Sequence, residues 1–195
     1  MAASDNPDAP YGLRPVRHMM GGDPFHCREY PLASDTTIHT GDGVRFTNGG
    51  IILATAGQRF IGVFRGCRYK KSNGEYVYAP YWASGENGGA SGRFAYVIDD
   101  PYVVYSIQID DDTTPFPTDF SAIGQNVDLL AHVAGSNLTG WAVAQGDASS
   151  LATDSLQLRV VGYVDLPQND PGGNEQVEVL INEHAYMATG NTGLT

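Results

Sequence analysis

Residues 67–78 read Cys67-Arg68-Tyr69-Lys70-Lys71-Ser72-Asn73-Gly74-Glu75-Tyr76-Val77-Tyr78, and this stretch decides the fold class. Asn73-Gly74 supplies two residues that tolerate positive φ at the centre of a type I′ turn, and its flanks alternate as the arms of a β-hairpin require. Lys70 and Lys71 near the tip keep that edge in solution and discourage pairing with a neighbouring strand.

Outward from this hairpin, short runs rich in Val, Ile, Tyr and Phe recur from Val44 onward with turn residues between them, the signature of an all-β sandwich or barrel. Strands are expected near residues 44–47, 51–54, 60–69, 76–81, 94–98, 103–109, 127–133, 140–144, 156–164 and 177–183. Leu156, Leu158 and Val160 alternate with Gln157 and Arg159, and Val177, Val179 and Ile181 alternate with Glu178, Leu180 and Asn182, so each of these strands buries one face. Ten short strands leave almost no room for helix. Only Asp147 to Asp154 could form a helical turn or two.

Up to about Asp42 the pattern is different: Pro, Gly, Asp and His are frequent, and apolar residues follow neither a two-residue nor a 3.6-residue period. The expected organisation is an extended arm over residues 1–42 and a compact β body over 43–195. The arm holds Tyr11, Leu13, Val16, Phe25 and Tyr30 among its basic residues, too apolar for a tail meant only to be solvated. It is expected to dock on a partner, with Tyr11 and Leu13 as anchors and Arg14, Arg17 and His18 as the basic contacts. Residues 1–20 should then be removable from a folded body.

Composition excludes several classes. In 195 residues, 22 Asp+Glu face 11 Lys+Arg, for a net charge of -11, so nucleic-acid binding through a net basic surface is not expected. The charge is uneven: residues 1–71 carry +3 and residues 72–195 carry -14. With no linker between the halves, this reads as a basic face beside an acidic one. Cys27 and Cys67 form no C-x-x-C pair and no zinc-type spacing, and are read as free thiols. No stretch approaches the ~18 apolar residues of a membrane helix, and residues 1–8 carry no apolar signal core, so residence in a cytoplasm and no membrane partner are expected.

The chemistry-bearing motifs are absent: no G-x-S-x-G elbow, no H-E-x-x-H, no P-loop and no G-x-G-x-x-G after a strand. His18, His26, His39, His132 and His184 share no metal-ligand spacing, so no catalytic residue, metal or cofactor is assigned. Asp110-Asp111-Asp112 lacks the alternating ligands and Gly of a calcium loop, and Asp99-Asp100-Pro101 reads as a tight turn. Tyr76, Tyr78, Tyr81 and Trp82 could form a platform for a sugar, although cross-strand packing explains Tyr76 and Tyr78 equally well. A free-standing carbohydrate-binding β-sandwich is therefore the alternative reading from another class.

Tyr11-Gly12-Leu13-Arg14-Pro15-Val16-Arg17-His18 with Gly21-Gly22, then Gly41-Asp42, then Ile61-Gly62-Val63-Phe64-Arg65-Gly66-Cys67, resembles the opening of a group of small virion structural proteins of tailed bacteriophages. Pro80-Tyr81-Trp82, Tyr96-Val97-Ile98-Asp99-Asp100-Pro101 with Gln108, Leu156-Gln157-Leu158-Arg159-Val160 and Leu180-Ile181-Asn182-Glu183-His184 continue the resemblance in order, over about residues 11–184. The segment from Asp110 to Pro117 departs from the family's shorter turn. The resemblance implies a non-enzymatic head decoration or cement protein that binds the outer shell and ties major capsid subunits together, with a tail or connector component as the rival position. It further implies assembly in the host cytoplasm, residence on the outer head surface, the major capsid protein as partner, and a homotrimer at local threefold positions.

Overall fold

The computed structural model describes residues 6–33, 36–85, 92–110 and 116–187. Among them run thirteen strands: β1 (Arg14–His18), β2 (Arg28–Pro31), β3 (Ile38–His39), β4 (Gly43–Thr47), β5 (Gly50–Leu53), β6 (Gly62–Lys70), β7 (Tyr76–Ala79), β8 (Tyr81–Trp82), β9 (Arg93–Ile98), β10 (Val103–Gln108), β11 (Asn126–Val127), β12 (Leu158–Tyr163) and β13 (Gln176–Ile181). The chain is all-β, as the alternation predicts. The 147–154 segment contributes one 3-10 turn, Ala148–Ser150, capped by the Asp147 carboxylate, which accepts from the Ser149 N–H.

Two antiparallel sheets and a short ribbon make up the body. One sheet has the order β1-β10-β13-β12-β11, the other β2-β9-β6-β4-β5 with β7 also on β6, and β3 pairs with β8. The second sheet curls: Leu32, just past β2, bridges Ile51 of β5, and the Ala33 N–H donates to the Ile51 carbonyl at 3.0 Å. Its concave side encloses one core around Leu32, Val44, Phe64, Trp82 and Val97. The other core lies against the first sheet and gathers Leu13, Phe60, Tyr105, Ile107, Phe116, Leu158 and Val179.

The 67–78 hairpin forms, with a different turn. The Gly74 N–H donates to the Lys71 carbonyl at 2.9 Å, the Lys71 N–H to the Glu75 carbonyl at 2.8 Å, and Gly74 is left-handed at φ 90° while Asn73 is not. This is a type I turn with a glycine bulge, a three-residue loop in place of the type I′ pair. The reason is register. The extra residue sets Tyr69 opposite Val77 and Arg68 opposite Tyr78, which keeps buried side chains facing inward-pointing ones. A two-residue turn would set buried Tyr69 against exposed Tyr78, a one-residue slip that strand alternation penalises.

Two expected strands are largely absent. After Val127 two N–H groups turn to side chains, Asp128 N–H to Ser150 Oγ at 2.8 Å and Leu129 N–H to Gln157 Oε1 at 3.0 Å, and backbone pairing is limited to an isolated bridge from Leu129 to Gly146. Residues 140–144 join only through bridges such as Thr40 with Trp141. Gln157, expected on the solvent face, is wholly buried and also donates to the carbonyls of Thr55 and Gln58, at 2.9 and 2.6 Å.

The largest correction concerns the arm. β1 pairs with β10, β2 with β9 and β3 with β8, so the N-terminal segment is built into all three sheets. Upstream of β1, the Asn6 side chain bonds Asp170 and Gly173, and the Ala9 N–H and Pro7 carbonyl bond Gln108. These contacts cover β10, all six residues of which are buried. The missing periodicity has a physical cause: the segment crosses three sheets in pieces of two to five residues, too short to repeat a pattern.

Removing residues 1–20 should therefore expose β10 and the first core, and should not leave an independent body. Leu13→Ala, at a site with no exposure, is expected to cost about 2–5 kcal/mol in denaturant unfolding. A truncated chain with the melting temperature of the full chain would contradict this arrangement.

Glu175 is 1% exposed at the foot of the loop between β12 and β13, where its carboxylate accepts from the Gly172 N–H. Burial pushes its carboxyl up to about 7 from an ordinary 4.5. Between those values the folded chain binds the extra proton, so stability is highest below the window and falls as pH rises through it. Glu175→Gln should raise Tm at pH 8, by on the order of 2 kcal/mol in stability after solvent screening, and leave Tm at pH 4.5 nearly unchanged. Thermal melts at the two pH values check the difference.

Candidate functional site

The residues assigned from sequence to a docking role lie on or beside β1, and the fold uses each one internally. Tyr11 donates its hydroxyl to Gln176 Oε1 at 2.9 Å and lies 3.3 Å from Ser106 Oγ. Leu13 is a core residue. Arg17 pairs with Glu178 at 2.7 Å, and His18 Nε2 lies 3.2 Å from Asp100 Oδ2. The Arg14 guanidinium sits 4.3 Å over the Tyr11 ring and 5.4 Å from Trp141, and Arg65 in turn lies over Trp141 and Phe25 at 5.7 and 5.8 Å. Each such stack contributes roughly 0.5–1 kcal/mol at an exposed site. The free edge of β1 is blunted by Pro15 and by a bulge between Pro15 and Arg17, which disfavours addition of a partner strand.

The Asp99-Asp100-Pro101 turn joins β9 to β10, as its composition predicts, and also links β2 to Tyr186. The Asp100 carboxylate accepts from the Tyr102 N–H at 2.9 Å. The Asp99 carboxylate is buried, accepts from the Tyr30 hydroxyl, and lies 3.4 Å from Arg28. Tyr30 meets Tyr186 near the opposite terminus, with hydroxyls 2.6 Å apart. Burial first, then the bonds to Asp99 and Tyr186, push the Tyr30 hydroxyl far above its usual range, so it stays a fixed proton donor.

Around this corner exposed apolar side chains sit beside charged ones. His26, Arg28, Asp100, Tyr102 and Tyr186 line a shallow depression. Met19, Met20, Phe25, Tyr102, Tyr186 and Met187 are each at least two-fifths exposed, and the Met19 N–H bonds the Tyr102 carbonyl. Sequence reading missed this surface because Tyr102 and Tyr186 lie more than 80 residues downstream of Met19. Asp99-Asp100-Pro101 marked the turn without marking what gathers on it. Trp82, assigned to a sugar platform, is a core residue, and Tyr81 stacks on His39 at 5.6 Å. Of the acidic loop, Asp111 and Asp112 lie outside the described residues, while the Asp110 carboxylate accepts from the Ala148 N–H at 2.7 Å.

No protein-family model matches this chain, and no curated protein or solved structure is detectably similar to it.

Both cysteines are free thiols. Burial pushes the Cys67 thiol up to about 12, and burial also raises Cys27. Neither thiol is activated as a nucleophile. A colorimetric thiol reagent at pH 8 should leave Cys67 unmodified in the folded protein and reach two thiols per chain only in denaturant.

Proposed function

We propose that this chain is a non-enzymatic structural component of a virion, a decoration or cement protein that binds the outer head shell and bridges major capsid subunits. The observation that carries the reading is the exposed apolar surface of Met19, Met20, Phe25 and Tyr102, set on a corner held by buried Asp99. Scattered apolar residues need no partner, whereas a cluster rimmed by Arg28, His26 and Asp100 has the make-up of an interaction surface. The ordered resemblance to small phage virion proteins supports the same reading. So does the construction of the body, in which the N-terminal segment pairs with strands 63–92 residues downstream and cannot peel away without breaking sheet bonds.

On this reading the attachment residues change. Leu13 serves the core and Arg17 is paired within the chain, so the anchors are Met19, Met20, Phe25 and Tyr102. A trimer at a local threefold position would repeat each modest contact three times, and repeated contacts reinforce one another. Purified protein should sediment with head shells that lack it, and Met20→Asp with Tyr102→Asp should abolish co-sedimentation while leaving the circular dichroism spectrum and Tm of the free protein unchanged. Unchanged occupancy in the double variant would move the attachment surface elsewhere. Density on the tail or connector of a reconstructed particle would replace the head assignment.

A further inference from the structure

We infer that the outward face of β2, β9, β6 and β7 is a binding platform for a neutral polysaccharide chain, a role that goes beyond shell attachment and does not depend on it. Strand alternation sends Cys67, Tyr69, Ala95 and Val97 into the second core, so their neighbours Arg68, Lys70, Phe94 and Tyr96 face outward. Register then assembles the platform. Tyr78, Arg68 and Phe94 occupy one row across β7, β6 and β9, Tyr76 stands opposite Lys70, and Tyr96 stands opposite Glu29 of β2. Tyr78 is 70% exposed and Tyr76 54%, so among the described residues nothing covers this side of the hairpin.

The polar centre of the platform is fixed in place. Arg68 holds Glu29 through two bonds, Nε to Oε1 at 2.9 Å and Nη2 to Oε2 at 3.0 Å, with its guanidinium 4.4 Å over the Phe94 ring. A planar guanidinium locked by a carboxylate and a ring is preorganised, so little side-chain entropy remains to be lost on binding.

These parts match the chemistry of a sugar polymer. Pyranose rings carry apolar C–H faces that stack on aromatic rings, and an equatorial rim of hydroxyls that needs donors and acceptors set in a plane. Tyr76, Tyr78 and Tyr96 offer the rings, and Phe94 backs the Arg68 guanidinium. The Arg68–Glu29 pair offers both donor and acceptor. Charge selects the class of ligand: Glu29 neutralises Arg68 in its own plane, and among the described residues Lys70 is the one other cation that strand alternation sets on this face, so the platform suits a neutral ligand better than an acidic one. Shape selects the length, because the open outer face of a curled sheet gives a single small sugar none of the enclosure of a pocket but lets an extended chain contact several rings. Of Tyr76, Tyr78, Tyr81 and Trp82, the residues that sequence suggested as a sugar platform, Tyr76 and Tyr78 lie on this face, and Phe94, Tyr96, Arg68 and Glu29 take the place of Tyr81 and Trp82.

The test is native electrophoresis of the full chain through gels containing hydroxyethyl cellulose, glucomannan or dextran, with polysaccharide-free and heparin-containing gels alongside. Retardation is expected in at least one neutral gel. Tyr78→Ala and Phe94→Ala should each weaken it about fivefold to tenfold. Arg68→Lys should weaken it too, because charge is kept while the planar fork is lost. No retardation in any neutral gel, or retardation that survives Tyr78→Ala, would overturn the inference. So would binding confined to heparin and insensitive to Arg68→Lys, or a change of sedimentation coefficient in Tyr78→Ala, which would make the face a subunit contact.

Discussion

The backbone of residues 11–13 lies directly on Gly41, and the rest of the architecture depends on that approach. The Leu13 N–H donates to the Gly41 carbonyl at 2.8 Å, the Gly41 N–H to the Phe64 carbonyl, and the Ala142 N–H to the Thr40 carbonyl. Three remote segments and the central strand β6 thus meet in one place. Gly12 has φ 72°, and a Cβ there would stand 2.8 Å from both the Ala142 Cβ and the Gly41 carbonyl oxygen. Only glycine satisfies both the left-handed backbone and the space. This contact aims Leu13 into the first core and starts β1 on β10.

Long-range closure has an energetic counterpart in charge. The basic N-terminal stretch and the acidic remainder meet within the molecule, through Arg17 with Glu178, Arg28 with Asp99 and His18 with Asp100. The first of these is partly solvated and contributes about 1 kcal/mol or less. Asp99 differs, because its carboxylate is buried and the Tyr30 hydroxyl and Arg28 are what offset its desolvation. The uneven distribution of charge along the chain therefore stabilises a fold first, and leaves less basic charge for a partner than the linear count suggests.

The two candidate surfaces share β2. Glu29 points to the aromatic face of the second sheet and Tyr30 to the Asp99 corner, since successive side chains on a strand take opposite sides. Short strands in a curled sheet can thus support separate recognition surfaces without lengthening the chain. Neither surface needs an activated group, which accords with hydroxyls and thiols whose pKa values are raised by burial.

Local chemistry was legible in the linear sequence wherever the physical cause was local. The alternation of Val177, Val179 and Ile181, the hairpin around Gly74 and the turn at Asp99-Asp100 each depend on neighbours a few residues away, and together they determined an all-β class. Tertiary structure alone decided everything that depends on which strands meet. The loop length at Gly74 was settled by matching buried Tyr69 to Val77, and the Gln157 side chain was drawn inside by three backbone groups from distant loops, those of Thr55, Gln58 and Leu129. The same holds for the N-terminal segment and for Phe94 beside Arg68. Pieces of two to five residues carry too little periodicity to declare a partner, and the free energy that places them comes from contacts made only after closures of up to about 90 residues.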